Sequence, residues 1–314
     1  MNKKKLVSVI TPCFNEEESV NDCYLEVKNI FDNLEGYDYE HIFSDNSSTD
    51  STIDILSKIC IKDKNIKVLI NSHNVGPFLN NFNALQYATG DYVLIFLPVD
   101  LQDPPHLIPD MIDLINSGSE IVLGIRDTRI ENVFLKLFRT IFYKLMNIFS
   151  EHKVPVGAGE FMMITKKVHK IITNSDHISP YIRGIVAQVN YPKSELRYTW
   201  NKRKFGKSKN SFKDLIDQAI NAFLMMAYKP VRYILYLGGL SLFCSSIIFV
   251  LKFLEIIQIV NLKFLEYDFY IYLGFLFFSM ILFSLGLIGE YVVNINNKVN
   301  NDLKLQIVKR INFD

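Results

Sequence analysis

The chain has 314 residues, with 34 Lys or Arg set against 33 Asp or Glu, for a formal net charge of +1. So even a balance excludes a case from overall charge for a nucleic-acid or strongly acidic partner. The four cysteines, Cys13, Cys23, Cys60 and Cys244, show no metal-ligand spacing and read as reduced thiols in a cytosolic or membrane setting.

From the N-terminus, "LVSVITP" is a continuous apolar run too short for a signal peptide, and it reads as a parallel strand buried on both faces. A helix whose first turn carries Glu16, Glu17 and Glu18 follows. "YEHIFSD" is the next strand and "STIDILSKIC" the next helix; "IKVLIN" and "DYVLIFL" repeat the strand pattern. "HLIPDMIDLINSG" is a helix closed by Gly118, and "EIVLGIR" a fifth strand. Short strands alternating with helices predict an α/β, doubly wound, Rossmann-like sheet. Ligands bind such sheets beyond the carboxyl ends of the strands. The polar residues gather there: Asn15 and Glu16 after the first strand, Asp45 after the second, Asp100 after the fourth, Arg126 after the fifth.

The apolar excess lies near the end. Residues 233–251 and 269–289 contain no charge, and each is long enough to cross a hydrocarbon core as a helix. Lys and Arg at the outer flanks predict both termini in the cytosol. Residues 211–228 carry Phe212, Leu215, Ile216, Ala219, Ile220 and Phe223 on one helical face. That pattern suits a core helix of the soluble part or a helix lying in the membrane interface. Just before it, residues 193–213 hold eight Lys or Arg and one acid, which suits an anionic headgroup better than nucleic acid. The six histidines have no metal spacing.

Several stretches together resemble the family 2 glycosyltransferases with a GT-A fold, and more narrowly their polyprenyl-phosphate branch: "SVITPCFNEEESV", "IFSDNSSTDST", "NVGPFLNNFNALQYATGDYVLIF", "DLQDPP", "GIR", "GEFMMITKKV", "YIRG", "RKFGKSKNSF" and "GLIGEYV". They run in family order over almost the whole chain. The resemblance implies a GT-A nucleotide-sugar-binding domain over residues 1–210 and an amphipathic interfacial helix over 211–230. Two transmembrane helices over 231–296 and a cytosolic tail over 297–314 complete it. It implies an integral membrane enzyme of the inner or plasma membrane, moving a sugar from a UDP-, GDP- or dTDP-linked donor to undecaprenyl or dolichyl phosphate. Self-association is left open.

Residue by residue, the resemblance makes Pro12, Asn15, Glu16 and Asp45 nucleotide contacts, and Asp100 with Gln102 the ligands of Mg²⁺ or Mn²⁺. Arg126 falls near the donor phosphates. Glu160 matches an acidic residue of the site, and Arg203, Lys207, Ser208 and Lys209 match the acceptor phosphate site. A lipid phosphate is already an oxyanion, so Glu160 positions substrate or supports structure rather than abstracting a proton. Asp50 reads as a helix cap, and Asp103, before Pro104-Pro105, reads either as a support behind the metal ligands or, better, as the cap of the following helix. Three positions depart from the family pattern: Asn46 and Gly157 replace acids, and Pro98 stands where a carboxylate is usual. Two other classes remain open: a family 2 enzyme acting on another glycan or lipid acceptor, and a non-catalytic nucleotide-sugar-binding membrane scaffold.

Overall fold

The computed structural model describes residues 4–128, 157–174, 182–201, 229–259, 269–299 and 307–313, with positions 140, 144, 148 and 155 between them. The expected alternation is present. Strands β1 (Lys5–Cys13), β2 (Tyr37–Asp45), β3 (Ile66–Asn71) and β4 (Tyr92–Leu94) are separated by helices α1 (Val20–Asp32), α2 (Thr52–Lys62) and α3 (Pro77–Leu85). Helix α4 (Ile108–Asn116) leads to β5 (Ile121–Thr128). Then come β6 (Ala158–Thr165), α5 (Lys166–Thr173), α6 (Ile182–Gln188), β7 (Lys193–Thr199) and β8 (Ile307–Ile311). Gly118 follows α4 with φ +110°, as the glycine signal predicts.

The eight strands form one sheet in the order β7-β5-β6-β4-β1-β2-β3-β8. β1 pairs in parallel with both β2 and β4, so the chain winds outward in two directions from it. Val7, Val9 and Ile10 of β1 are fully buried, as are Ile42 and Phe43 of β2. Each such side chain contributes about 1.5–3 kcal/mol on leaving water. That burial explains why these strands read as continuous apolar runs. β6 runs antiparallel to β4 and β5, whereas β7 is parallel to β5.

Two features differ from the sequence reading. "DYVLIFL" gives a strand of only three residues, although the Ile95 amide still donates to Met162 O and the Leu97 amide to Ile10 O. The chain leaves regular pairing there because residues 98–103 must turn: the Leu101 amide closes onto Pro98 O, with Leu101 at φ +56°. The second is the tail. Strand β8 pairs antiparallel with the outer edge of β3, and Asn312 Nδ2 donates to Cys60 O and Ile66 O, each at 2.9 Å.

A second unit consists of helices α7 (Lys229–Ile256) and α8 (Phe269–Val299), packed against each other. Their spans Arg232–Ile256 and Tyr270–Val292 have mean hydropathies of 2.2 and 2.3, long and apolar enough to cross a membrane. Inside the pair, Ser241 Oγ meets Ser279 Oγ at 2.7 Å, while Arg232 bonds Glu290 at 3.2 Å on an exposed face. Large side chains such as Phe243, Phe275 and Phe278 face outward. An apolar exterior around a hydroxyl pair suits lipid.

Candidate active site

The chain's winding reverses direction at β1, so the crevice beyond the carboxyl ends of β1, β2 and β4 is where a ligand belongs. Pro12 is half-buried in the last turn of β1, and Asn15 follows it at φ +54°. Asn15, Glu16 and the residues after β2 are laced together. The Asn15 amide donates to Ser48 Oγ, the Glu16 amide to Thr52 Oγ1, and Asn15 Oδ1 accepts the Thr49 amide, at 2.7–2.8 Å. Asp45 is fully buried at the end of β2, where its oxygens accept the Ser48 amide at 2.9 Å and the Ser48 hydroxyl at 2.5 Å. Burial lifts its carboxyl above the ordinary range, and the Ser48 bonds oppose that rise. Asp50 binds the Thr52 amide and hydroxyl, consistent with a capping role.

On the other side of β1, Asp100 is 6% exposed and accepts the Gln102 amide at 3.2 Å. Gln102 forms a reciprocal pair with the residue after Trp200: its carbonyl accepts the Asn201 amide at 2.9 Å, and its Nε2 donates to Asn201 O at 3.2 Å. A carbonyl acceptor fixes Nε2, so Oε1 is the end left for a cation. Asp100 and Gln102 therefore offer one carboxylate and one amide oxygen from a single loop. That hard-oxygen pair suits Mg²⁺ or Mn²⁺ when a diphosphate or water completes the shell. Among the described residues there is no cluster of three or more His, Cys, Asp or Glu.

Asp103 corrects the sequence reading. It is fully buried and caps nothing; the short 3₁₀ turn after it has no side-chain cap. Its carboxylate instead takes Arg126 Nε at 2.8 Å, Arg126 Nη2 at 2.5 Å and the Tyr198 hydroxyl at 2.6 Å. The Arg126 guanidinium also stacks on Trp200, 5.1 Å from the ring centre, and lies against Gly159, where a Cβ would come within 3.3 Å of it. Burial works against the Arg126 charge, but Asp103 outweighs it and raises the pKa. So Arg126 is held in place with two of its nitrogens committed to Asp103.

Glu160 on β6 is 8% exposed and sits 3.9 Å from Arg183 Nε. Burial raises its pKa, opposed by Arg183 and Arg126 and assisted by Asp103. It thus belongs to the Asp103–Arg126 cluster. Gly157 has φ +88°, and a Cβ there would lie 3.0 Å from Arg126 O. A side chain at 157 is strained on this backbone, which favours the glycine found there. His73 is exposed, with its Nδ1 2.9 Å from the hydroxyl of its neighbour Ser72. Arg203, Lys207, Ser208 and Lys209, expected to meet the acceptor phosphate, and the helix expected over 211–228 lie outside the described residues.

Tyr198, Trp200 and Asn201 were missed in the sequence. Tyr198 and Trp200 have the i, i+2 spacing that places both on one face of a strand, a signal that was available in "RYTW".

A GT-A-type crevice with a carboxylate–amide pair beside a buried arginine cluster defines a transferase of activated sugars as the class of protein to look for. The sequence model of glycosyl transferase family 2 matches residues 8–172, and the chain belongs to that family. It is 30% identical to the SfII prophage-derived bactoprenol glucosyl transferase of Shigella flexneri, over 96% of this chain and 97% of that one. It is 27% identical to the uncharacterized glycosyltransferase YkcC of Bacillus subtilis, over 99% and 95% of the respective chains. Among solved structures it is similar to glucosyl-3-phosphoglycerate synthase of Mycobacterium tuberculosis in complex with Mn²⁺, UDP and phosphoglyceric acid, at 15% identity. That alignment has a TM-score of 0.49 and covers 70% of this chain and 76% of that one.

Proposed function

We propose that this glycosyltransferase moves one sugar from a nucleoside diphosphate donor to a polyprenyl phosphate at the cytosolic face of a membrane. The observation that carries the acceptor is the likeness to a bactoprenol glucosyl transferase across domain and hairpin alike. Two apolar helices of spanning length support two crossings, and the Lys and Arg flanks favour both termini in the cytosol.

In this reading Pro12, Asn15, Glu16 and Asp45 hold the nucleoside, and Asp100 with Gln102 holds Mg²⁺ or Mn²⁺ against the diphosphate. The cation, when bound, neutralises charge on the departing nucleoside diphosphate. Arg126, locked by Asp103, presents a fixed positive charge to the same phosphates, with no reorganisation at the moment of reaction. The lipid phosphate oxyanion attacks the anomeric carbon opposite the leaving group and inverts it. No general base is needed, which leaves Glu160 a positioning role beside Arg183. Arg203, Lys207, Ser208 and Lys209 receive the acceptor phosphate.

The test supplies the purified protein in lipid with radiolabelled UDP-, GDP- and dTDP-sugars and polyprenyl phosphate, with and without Mg²⁺. A metal-dependent, solvent-extractable lipid product is expected, and Asp100→Ala abolishes it. Product on a soluble or polymeric acceptor alone would sink the lipid reading.

A further inference from the structure

The turn after β2 reads "DNSS", and Asn46 is its second residue. Asn46 is 3% exposed and does not point into the crevice as a free carboxamide. Its Oδ1 accepts the Val75 amide at 2.9 Å and Asn71 Nδ2 at 3.3 Å, while its Nδ2 donates to Asn74 Oδ1 at 2.7 Å. Asn74 Oδ1 also accepts the Gly76 amide at 2.9 Å. Both carboxamides are therefore fixed in direction by backbone N–H groups, which only an oxygen can satisfy. The one side-chain bond between them can run only from Asn46 to Asn74.

The bond has a buried foundation. Asn71 Nδ2 donates to Asn80 Oδ1 at 2.8 Å, Asn83 Nδ2 to Asn71 Oδ1 at 3.0 Å, and Asn80 Nδ2 to Ser44 O at 2.9 Å. This chain of amides ties α3 to the ends of β2 and β3. The loop after β1 is already laced to the turn after β2. Asn46 adds the loop after β3, so three successive loops form one continuous rim on the β2 side of the crevice.

We propose that Asn46 is a positioning residue for the nucleoside of the donor: its directional bond to Asn74 holds the 72–76 loop as a wall of the nucleoside site. The inference rests on the nucleotide-sugar reading of that crevice. It also explains why an acid is absent at position 46. An ionised aspartate has no donor for Asn74 Oδ1 and sets a carboxylate against that oxygen. A protonated aspartate is different, because its hydroxyl replaces Nδ2 and its carbonyl keeps the Val75 bond.

The experiment is Asn46→Asp in the full-length protein, in lipid nanodiscs, with UDP, dTDP and GDP as probes in the presence of Mg²⁺. Calorimetric affinity and Tm without nucleotide are read at about pH 7.5 and about pH 5, bracketing a carboxyl raised above its usual value of about 3.9. Asp45, Asp50, Glu16, Glu17, Glu18 and His73, the titratable groups of the three loops, are common to the wild type, whose own pH response is the reference. At the higher pH the variant binds the preferred nucleotide up to roughly tenfold more weakly, on the order of one lost, partly buried hydrogen bond. At the lower pH most of that loss is recovered. Asn46→Ala lacks a titratable group, so it loses affinity at both pH values without recovery. A variant whose Tm follows pH while its nucleotide affinity matches the wild type overturns the positioning role. Wild-type protein that binds none of the three probes overturns the nucleotide reading and the positioning role together, whereas the Tm of Asn46→Asp still reports on the bond by itself.

Discussion

The Arg126 guanidinium and the Asp103 carboxylate form a two-pronged ion pair, at 2.8 and 2.5 Å, joining β5 to the loop after β4. Asp103 is wholly buried and the Arg126 side chain is 15% exposed, so water screens the pair little. Removing one partner leaves a buried charge unmatched, at a cost of about 3–5 kcal/mol. Asp103→Ala is expected to lower stability by that order in urea unfolding and to reduce turnover with it. Unchanged stability would mean that the pair contributes nothing net.

Pro98 opens the turn that carries Asp100, and its carbonyl accepts the Leu101 amide at 3.0 Å. Pro98→Asp keeps that carbonyl and adds a carboxylate at the crevice. The expected outcome is a change in donor KM with little change in the Mg²⁺ concentration for half-maximal rate. A shift confined to the metal dependence would place residue 98 among the ligands instead.

Ser47 sits at φ +62°, in the left-handed region where a Cβ costs roughly 1–2 kcal/mol. Glycine loses more chain entropy on folding, which offsets part of that. Ser47→Gly is therefore expected to stabilise the protein by about 0.5–1 kcal/mol, read as a rise in Tm.

Asn81 on α3 is fully buried, and neither end of its carboxamide has a hydrogen-bond partner. Such a group costs about 1–3 kcal/mol in desolvation. Asn81→Leu is close in size and removes the polar atoms, so the folded state should gain stability on that order. A loss would show that the carboxamide is satisfied in solution.

Glu160 carries a pKa raised chiefly by burial. A raised folded-state value adds stability below the ordinary glutamate pKa, and that stability is lost as pH rises through the folded value. Glu160→Gln cannot ionise. Its Tm should match the wild type in acid and exceed it increasingly toward neutral pH. A gap between the two that stays constant with pH would show that Glu160 does not titrate in this window.

The sequence alone determined the parallel core, the crevice edge and the two apolar spans. Those are local properties: runs of buried residues, helix and turn signals, and a length matched to a bilayer. It gathered Asn15, Glu16, Asp45, Asp100 and Arg126 toward the carboxyl ends of strands, because the stop of an apolar run is visible in its pattern. Only the tertiary structure decided what those side chains hold. Asp103 read as a cap because proline follows it, yet its partners Arg126 and Tyr198 lie 23 and 95 residues away. Asn46 looked like a weakened acid until Asn71 and Asn74 were seen to pin it. The tail became β8 because β3 offers it an open edge far upstream in the chain, where Leu69 pairs with Arg310. A hydrogen bond depends on direction and distance between atoms, and a linear pattern of residue types carries neither for positions far apart in the chain.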